Sequence, residues 1–160
     1  MPEPLFEVEI EGLDELGEFF DSVPYIVAQN IMRSALQAAG QVLQRGIQAY
    51  APVADQPSHR ETEPGELRES IIVETHLGKD LDDNFAIVGP RYDKSRFSGK
   101  DRTHSPGVYG GLEEFGTSKT AAHPFMRPGF EATKQQAFET FVKVSQELFA
   151  VYFGEQKVAA

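Results

Sequence analysis

Apolar side chains repeat every three or four residues from about Tyr25 to Tyr50, and this spacing predicts a long amphipathic helix. Its apolar stripe is formed by Met32, Leu36, Ala39, Leu43, Ile47 and Tyr50, and it is widened by Ile31, Ala35, Ala38 and Val42. A stripe this wide indicates contact on more than one side, and Pro52 ends the helix. A second long helix, beginning near Phe130, has an aromatic-rich face formed by Phe138, Phe141, Val142, Leu148, Phe149 and Tyr152.

Shorter runs between and before these helices predict strands. Residues 6–10 alternate apolar and acidic side chains, and Leu13–Val23 can form a short helix. Further β-prone runs are Leu67–Thr75, Phe85–Val88 and Val108–Phe115, with a turn at Gly78 and Asp80–Asn84 between the first two. Strands flanked by long helices indicate an α+β fold. We expect a small antiparallel or mixed sheet packed with two long helices, at about 25–50 and 130–152.

The length of 160 residues is typical of one domain, so we expect residues 1–160 to form a single domain. Two stretches, at about 54–64 and 91–107, are polar and without periodicity, and we predict flexible loops there. The second loop carries the basic residues Arg91, Lys94, Arg96, Lys100 and Arg102. These five side chains are candidates for contacts with a partner or with DNA.

The net charge of −10 is concentrated at one end of the chain. The first 22 residues contain eight acidic residues and no lysine or arginine. This end either forms a solvated face or meets a basic partner. Sequence-independent DNA binding by the whole surface is disfavoured, because contacts to phosphates need an excess of basic residues. The absence of cysteine excludes disulfides and thiolate metal sites, and no apolar run approaches the roughly 20 residues that span a bilayer.

Signals for catalysis are weak. Gly111–Gly116 has the glycine spacing of a phosphate-binding loop, but the lysine that must follow is absent. The four histidines (His59, His76, His104 and His123) lack the spacing of metal ligands. Glu113 and Glu114 are adjacent, so on a strand they would point to opposite faces. Ser70 and Ser118 have no nucleophile motif around them. We therefore predict a protein without catalytic residues, metal or cofactor.

Four segments in a fixed order are more informative than any single motif. They are Tyr50–Val53, Gly65–Ile71, Leu112–Lys119 and His123–Pro128. In this order they resemble the neck or tail-completion proteins of long-tailed bacteriophages, a family also described as tail components. The resemblance extends over about residues 25–150. The chain departs from the family pattern by an added stretch at about 56–64 and an enlarged loop at 91–107.

The resemblance implies a structural virion protein of the phage neck rather than an enzyme. Such a subunit would form a homo-oligomeric ring, expected to be hexameric, that joins or completes the tail at the head–tail interface. Its partners would be other neck and tail proteins, and genomic DNA would pass through the channel without being read. Assembly would take place in the host cytoplasm, without a membrane. Two other functions remain open: a small nucleic-acid-binding module that uses the basic loop at 91–102, and an uncharacterised hydrolase.

The motifs also supply candidate interface or structural residues: Leu67, Arg68, Glu114, Phe115, Gly116, Pro124, Phe125, Arg127 and Pro128. We expect Leu67, Ile71 and Phe125 to be core anchors, and Gly116 to adopt a positive φ. The two prolines predict a stiff, extended lead at residues 123–128. A buried arginine needs a carboxylate, and we expect Arg127 to pair with Glu114, within one subunit or across the ring contact.

Overall fold

A computed structural model of the chain describes residues 20, 23–53, 64–92 and 105–158. The strand predicted at residues 6–10 and most of the two predicted loops lie outside the described residues. Of the helix predicted at 13–23, only Phe20 and Val23 are described, and both are buried.

The first long helix, α1, extends over Tyr25–Tyr50, as the periodicity predicts. Pro24 precedes it, and Pro52 follows it after one residue. Its most buried apolar positions are Ala28, Ile31, Ala35, Val42 and Ile47. The apolar stripe predicted from the sequence is therefore rotated away from the centre of the buried face of α1. Met32, Leu36 and Leu43 are only half-buried, and Tyr50 is 50% exposed. Small side chains near the middle of the true stripe allow neighbouring elements to pack closely.

A one-turn helix, α2 (Glu66–Ser70), leads directly into the first strand. The prediction of a strand beginning at Leu67 is therefore wrong for its first four residues. Gly65 turns the chain with a φ of 89°, and Glu66, Leu67 and Arg68 are good helix formers. The turn is held by the Ser70 hydroxyl, which donates to the carbonyl of Leu67 at 2.7 Å.

The sheet has two antiparallel strands, β1 (Ile71–His76) and β2 (Phe85–Pro90). A short 3-10 helix at Leu81–Asp83 lies in the predicted turn region between them. Val73 pairs with Val88 on the inner face, and Val73 packs against Gly40 of α1. Two glutamines of α1 reinforce this packing, since Gln44 and Gln48 donate to the carbonyl of Ile71 at 2.6 and 3.4 Å.

Residues expected to form a further strand at 108–115 instead form the helix α3 (Pro106–Phe115). Ser105 precedes the helix and Pro106 occupies its first turn, where the missing N–H costs nothing. The predicted loop therefore ends at Ser105 rather than at residue 107. Gly110 allows close packing of α3: a Cβ there would lie 3.1 Å from both Leu67 and Pro90.

The second long helix, α4, extends over Met126–Val158 and begins four residues earlier than predicted. It runs antiparallel to α1, because Gly129 near its start faces Ile47 and Phe141, Leu148 and Phe149 pack at the opposite end of α1. α1 lies between α4 and the sheet and contacts both. The α+β fold with a small antiparallel sheet and two long helices is confirmed.

The buried apolar residues form two clusters, one at each end of α1. The first contains Ile47, Ala51, Leu67, Ile71 and Phe125, with Val88, Tyr109 and Met126 at its edge. The second contains Phe20, Val23, Ala28 and Ile31, with half-buried residues of α4 around it. None of the described helices is long and apolar enough to cross a membrane.

Replacing Gly129 with alanine is expected to destabilise the fold by roughly 1–3 kcal/mol, the usual effect of overpacking. The added Cβ would lie 2.5 Å from the Cα and 2.9 Å from the N of Ile47, so α1 and α4 would have to separate. Gly154 in the same helix is the control, since a Cβ there meets nothing within 4 Å. Gly154→Ala should be neutral or stabilising by up to about 1 kcal/mol. Urea unfolding of the two variants measures the difference, and equal stabilities would refute the close contact.

Candidate interface at the junction of α3 and α4

A buried carboxylate joins the end of α3 to the start of α4. The side chain of Glu114 is 3% exposed. Its Oε2 accepts hydrogen bonds from the backbone N–H groups of Phe125 and Met126, at 2.7 and 2.9 Å, and its Oε1 accepts one from the N–H of Arg127 at 3.3 Å. A negative charge is favourable at this position because the N–H groups of a helix start point towards it.

Glu114 satisfies the whole N-terminus of α4. The first four N–H groups of a helix have no partner within the helix. Three of them, at residues 125–127, bind Glu114, and the fourth position is Pro128, which has no N–H. Pro128 thus belongs to the first turn of α4, where proline is tolerated. The predicted extended lead to Pro128 is wrong beyond Phe125, because Met126 is already helical.

The ion pair expected between Arg127 and Glu114 is present within one chain. Arg127 Nε lies 3.2 Å from Glu114 Oε1, so the pair does not need a second subunit. The arginine is not buried as expected, because 56% of its side chain is exposed. Its guanidinium lies 5.0 Å from the centroid of the Phe115 ring, within the range of a cation–π interaction.

Phe125 places this junction on the hydrophobic core. Its side chain has 0% exposure and contacts the cluster around Ile47, Leu67 and Ile71. The expectation that Phe125, Leu67 and Ile71 are core anchors is confirmed. The backbone N–H of Phe125 binds Glu114 while its ring enters the core, so one residue links the carboxylate to the packing.

The connection between α3 and α4 is a hydrogen-bonded turn. Gly116 begins it with a φ of 73°, as predicted, and a Cβ there would lie 2.9 Å from the carbonyl oxygen of Thr120. Thr117 exchanges hydrogen bonds with Thr120 through both its backbone N–H and its side-chain oxygen. The N–H of His123 donates to the carbonyl of Glu113 at 2.7 Å, which returns the chain to α3.

α3 leaves two large apolar side chains exposed and buries a carboxylate. It buries Gly110 and the carboxylate of Glu114, whereas Leu112 and Phe115 are 46% and 67% exposed. These two side chains are three positions apart, so they lie on one face. We call Leu112, Phe115 and Arg127 the α3 patch. Their outward position predicts a surface that is covered when the protein is assembled.

A second apolar surface lies on the outer face of the sheet. Phe85 and Ile87 of β2 are 50% and 53% exposed. Ile87 pairs with Glu74 across the sheet, and the His76 ring stacks on Phe85 with centroids 5.0 Å apart. We call Glu74, Phe85 and Ile87 the hairpin patch. Neither Leu112 of the α3 patch nor this hairpin patch was among the residues selected from the sequence.

The other residues selected from the sequence do not gather at one site. Arg68 belongs to α2, and its side chain reaches the C-terminal end of α1, where its Nη2 donates to the carbonyl of Ala51 at 3.3 Å. Arg91 is exposed, and its backbone N–H extends the strand pairing by donating to Ser70. Pro124 is exposed beside the turn. The remaining basic loop residues, Lys94, Arg96, Lys100 and Arg102, lie outside the described residues.

Two described histidines each lie near one glutamate. His123 Nδ1 lies 3.4 Å from Glu113 Oε2, and His76 Nε2 lies 4.0 Å from Glu74 Oε2. Within the part of the chain that the structure describes, no three His, Asp or Glu side chains could hold a metal ion together. Because Glu113 and Glu114 are helical, the reasoning from a strand was wrong, but the two side chains still have different partners.

Tyr109 brings a buried hydroxyl into the same region. Its oxygen is buried without a hydrogen-bond partner among the described residues. Burial, together with the nearby carboxylate of Glu66, raises the pKa of Tyr109 from 10.0 to about 12. The folded state therefore resists ionisation of this phenol more than the unfolded chain does.

The expected consequence is a loss of stability at high pH that depends on Tyr109. Because the folded pKa is raised, stability is fully present below the unfolded pKa of 10.0 and is lost as the pH rises towards about 12. Tyr109→Phe should be neutral or slightly stabilising at pH 7, since it removes an unpaired hydroxyl. It should also flatten the decline above pH 10. Urea unfolding from pH 7 to 11.5 tests this, and parallel curves for the two proteins would contradict it.

Together, the fold and the junction define a small α+β protein in which a buried carboxylate joins two helices. Glu114 of α3 holds the start of α4, and large apolar side chains of α3 and β2 are exposed. A family model described as "Bacteriophage HK97-gp10, putative tail-component" matches residues 14–116, more than half of the chain. The chain belongs to this HK97-gp10-like family of phage tail components. Comparisons with curated proteins and with solved structures gave no match.

The family match covers α1, the hairpin and α3, and it ends at Gly116. The proline-containing motif at 123–128, which contributed to the resemblance, lies beyond the matched residues. The match confirms the resemblance to phage tail components. It identifies a structural tail protein of the bacteriophage virion, which assembles with other tail proteins.

Proposed function

We propose that the chain is a ring-forming subunit of the phage neck that joins or completes the tail at the head–tail interface. Six copies would surround a channel through which genomic DNA passes without being read. Neighbouring neck and tail proteins would bind above and below the ring, and assembly would take place in the host cytoplasm. Membership of the tail-component family supports the structural role.

The observation that carries the proposal is the apolar surface left open by the single chain. Scattered exposed apolar residues are normal on a soluble protein. Here, however, they occur in groups on regular elements, with Leu112 and Phe115 on α3 and Phe85 and Ile87 on β2. We take these two pairs as candidate protein-binding surfaces. Closed rings need such surfaces on every subunit.

The charge of the chain suits a channel for DNA. Its net charge is −10, and a negative lumen would prevent the genome from adhering. The acidic N-terminal 22 residues are the candidates for this lining. Arg91 and the other basic residues of its loop are the candidates for contacts with a neighbouring protein or with the DNA backbone.

Depleting the protein during phage assembly tests the proposal. An amber mutation in its gene should yield DNA-filled heads and separate tails, and supplying the protein in trans should restore joined particles. Labelled protein should be found at the neck, and the complex released from particles should have the mass of a six-subunit ring. Joined particles made without the protein, or label elsewhere on the tail, would overturn it. Salt-dependent DNA retention by the isolated protein would support the nucleic-acid-binding alternative.

A further inference from the structure

We propose that neighbouring copies in the ring contact each other through two different surfaces, the α3 patch of one copy and the hairpin patch of the next. This inference rests on the proposed ring. It specifies which residues meet, which neither the fold nor the family assigns.

The α3 patch combines apolar area with one positive charge. Leu112 and Phe115 supply the area, and the guanidinium of Arg127 lies over the Phe115 ring. The ion pair of Arg127 with Glu114 uses Nε, and more than half of the arginine side chain is exposed. The terminal nitrogens can therefore bind a second carboxylate. The nearby Glu113 is half-buried and already paired with His123.

The hairpin patch combines apolar area with one negative charge. An antiparallel sheet with one solvated face is expected to be polar on that face. Here Phe85 and Ile87 are both about half exposed on it. Glu74, 59% exposed, lies directly opposite Ile87 in the register. Among the described residues, its Oε2 lies 4.0 Å from His76 Nε2.

Charge decides how the two patches pair. If α3 patches met each other, the contact would contain two Arg127 side chains, and if hairpin patches met, it would contain two Glu74 side chains. Like charges facing each other across an interface oppose association. Pairing the α3 patch with the hairpin patch covers both apolar areas and places Arg127 opposite Glu74. A ring also requires this kind of contact, because each subunit must present two different surfaces to its two neighbours.

The absence of cysteine from the chain gives a direct test by disulfide cross-linking. Phage particles should be assembled with a variant carrying both Leu112→Cys and Ile87→Cys, then oxidised and separated without reductant. A disulfide forms only when the Cα atoms lie within about 7 Å. The double variant should give a ladder of cross-linked chains that ends at the number of subunits in the ring. The control pairs Leu112→Cys with Val151→Cys on α4, which is 56% exposed, and should give no ladder.

The single variants decide between contact geometries. Leu112→Cys alone and Ile87→Cys alone should remain monomeric on the gel, because neither surface meets its own copy. A dimer from either single variant would show like surfaces in contact and overturn the inference. A ring without the cross-link would overturn it too while leaving the proposed function intact. The absence of any ring would overturn both.

Charge reversal gives an independent readout. Glu74→Lys should leave folding unchanged but lower the yield of joined particles by at least about tenfold, because it places a lysine against Arg127. Glu147→Lys makes the same change of charge at an exposed site on α4 and should not lower the yield. Equal yields for the two variants would overturn the pairing of Glu74 with Arg127.

Discussion

Phe125→Ala is expected to destabilise the protein by about 3–5 kcal/mol, the range for removing a fully buried phenylalanine. The ring has 0% exposure and contacts residues of α1, α2 and β1 in one cluster, so no single element can move to fill the cavity. A loss of this size is a large share of the stability of a small domain, so the urea concentration at the unfolding midpoint should fall sharply.

Phe115→Ala is the matched control for this prediction. It removes the same side chain ten positions earlier, but from a site that is 67% exposed. The expected loss is about 1 kcal/mol or less, most of it from the contact with Arg127. Urea unfolding followed by circular dichroism measures both variants. Similar losses for the two would show that Phe125 does not anchor the core.

Glu114→Ala should be the next most damaging substitution, with a loss of about 3 kcal/mol. Three backbone N–H groups lose a charged acceptor, and hydrogen bonds to charged groups contribute about 1.5–3 kcal/mol each before the released groups regain contact with water. Arg127 also loses its described carboxylate partner. The stability of Glu114→Gln should lie between those of the unmodified protein and Glu114→Ala, because the amide keeps one oxygen acceptor but not the charge.

The adjacent Glu113→Ala is the control for the carboxylate. Its side chain pairs with a histidine that is 63% exposed, and exposed ion pairs contribute about 0–1 kcal/mol. Thermal unfolding and amide exchange at residues 125–127 should distinguish the two variants. If Glu113→Ala is as damaging as Glu114→Ala, then Glu114 has no special role in starting α4.

The parts of the fold that could be predicted are those where one physical signal dominates. α1 is 26 residues long, its apolar stripe repeats over seven turns, and prolines flank it. Its bounds were therefore predicted correctly. The pairing of Arg127 with Glu114 followed from a simpler argument, that a buried charge in this region needs an opposite charge. The carboxylate proved to be the buried partner.

α3 was mistaken for a strand because its periodicity runs opposite to the usual rule. Leu112 and Phe115 face outward while Glu114 faces inward, and two adjacent glycines reduce its helix propensity. The signal that could have identified it was the pair Ser105–Pro106, a helix start, with Gly116 after its last residue. The inward position of Glu114 could not be inferred locally, because its partners are the N–H groups of a helix that begins 12 residues later.

The carboxylate of Glu114 also has a consequence for how the molecule opens. Helix starts normally fray independently, since their first N–H groups exchange with water at little cost. Here the start of α4 cannot fray without breaking its contact with α3, and α3 cannot leave without exposing three N–H groups. We therefore expect α3 and the first turn of α4 to unfold together. A neighbour that holds the outer face of α3 would therefore also slow amide exchange at residues 125–127, whose N–H groups bind Glu114.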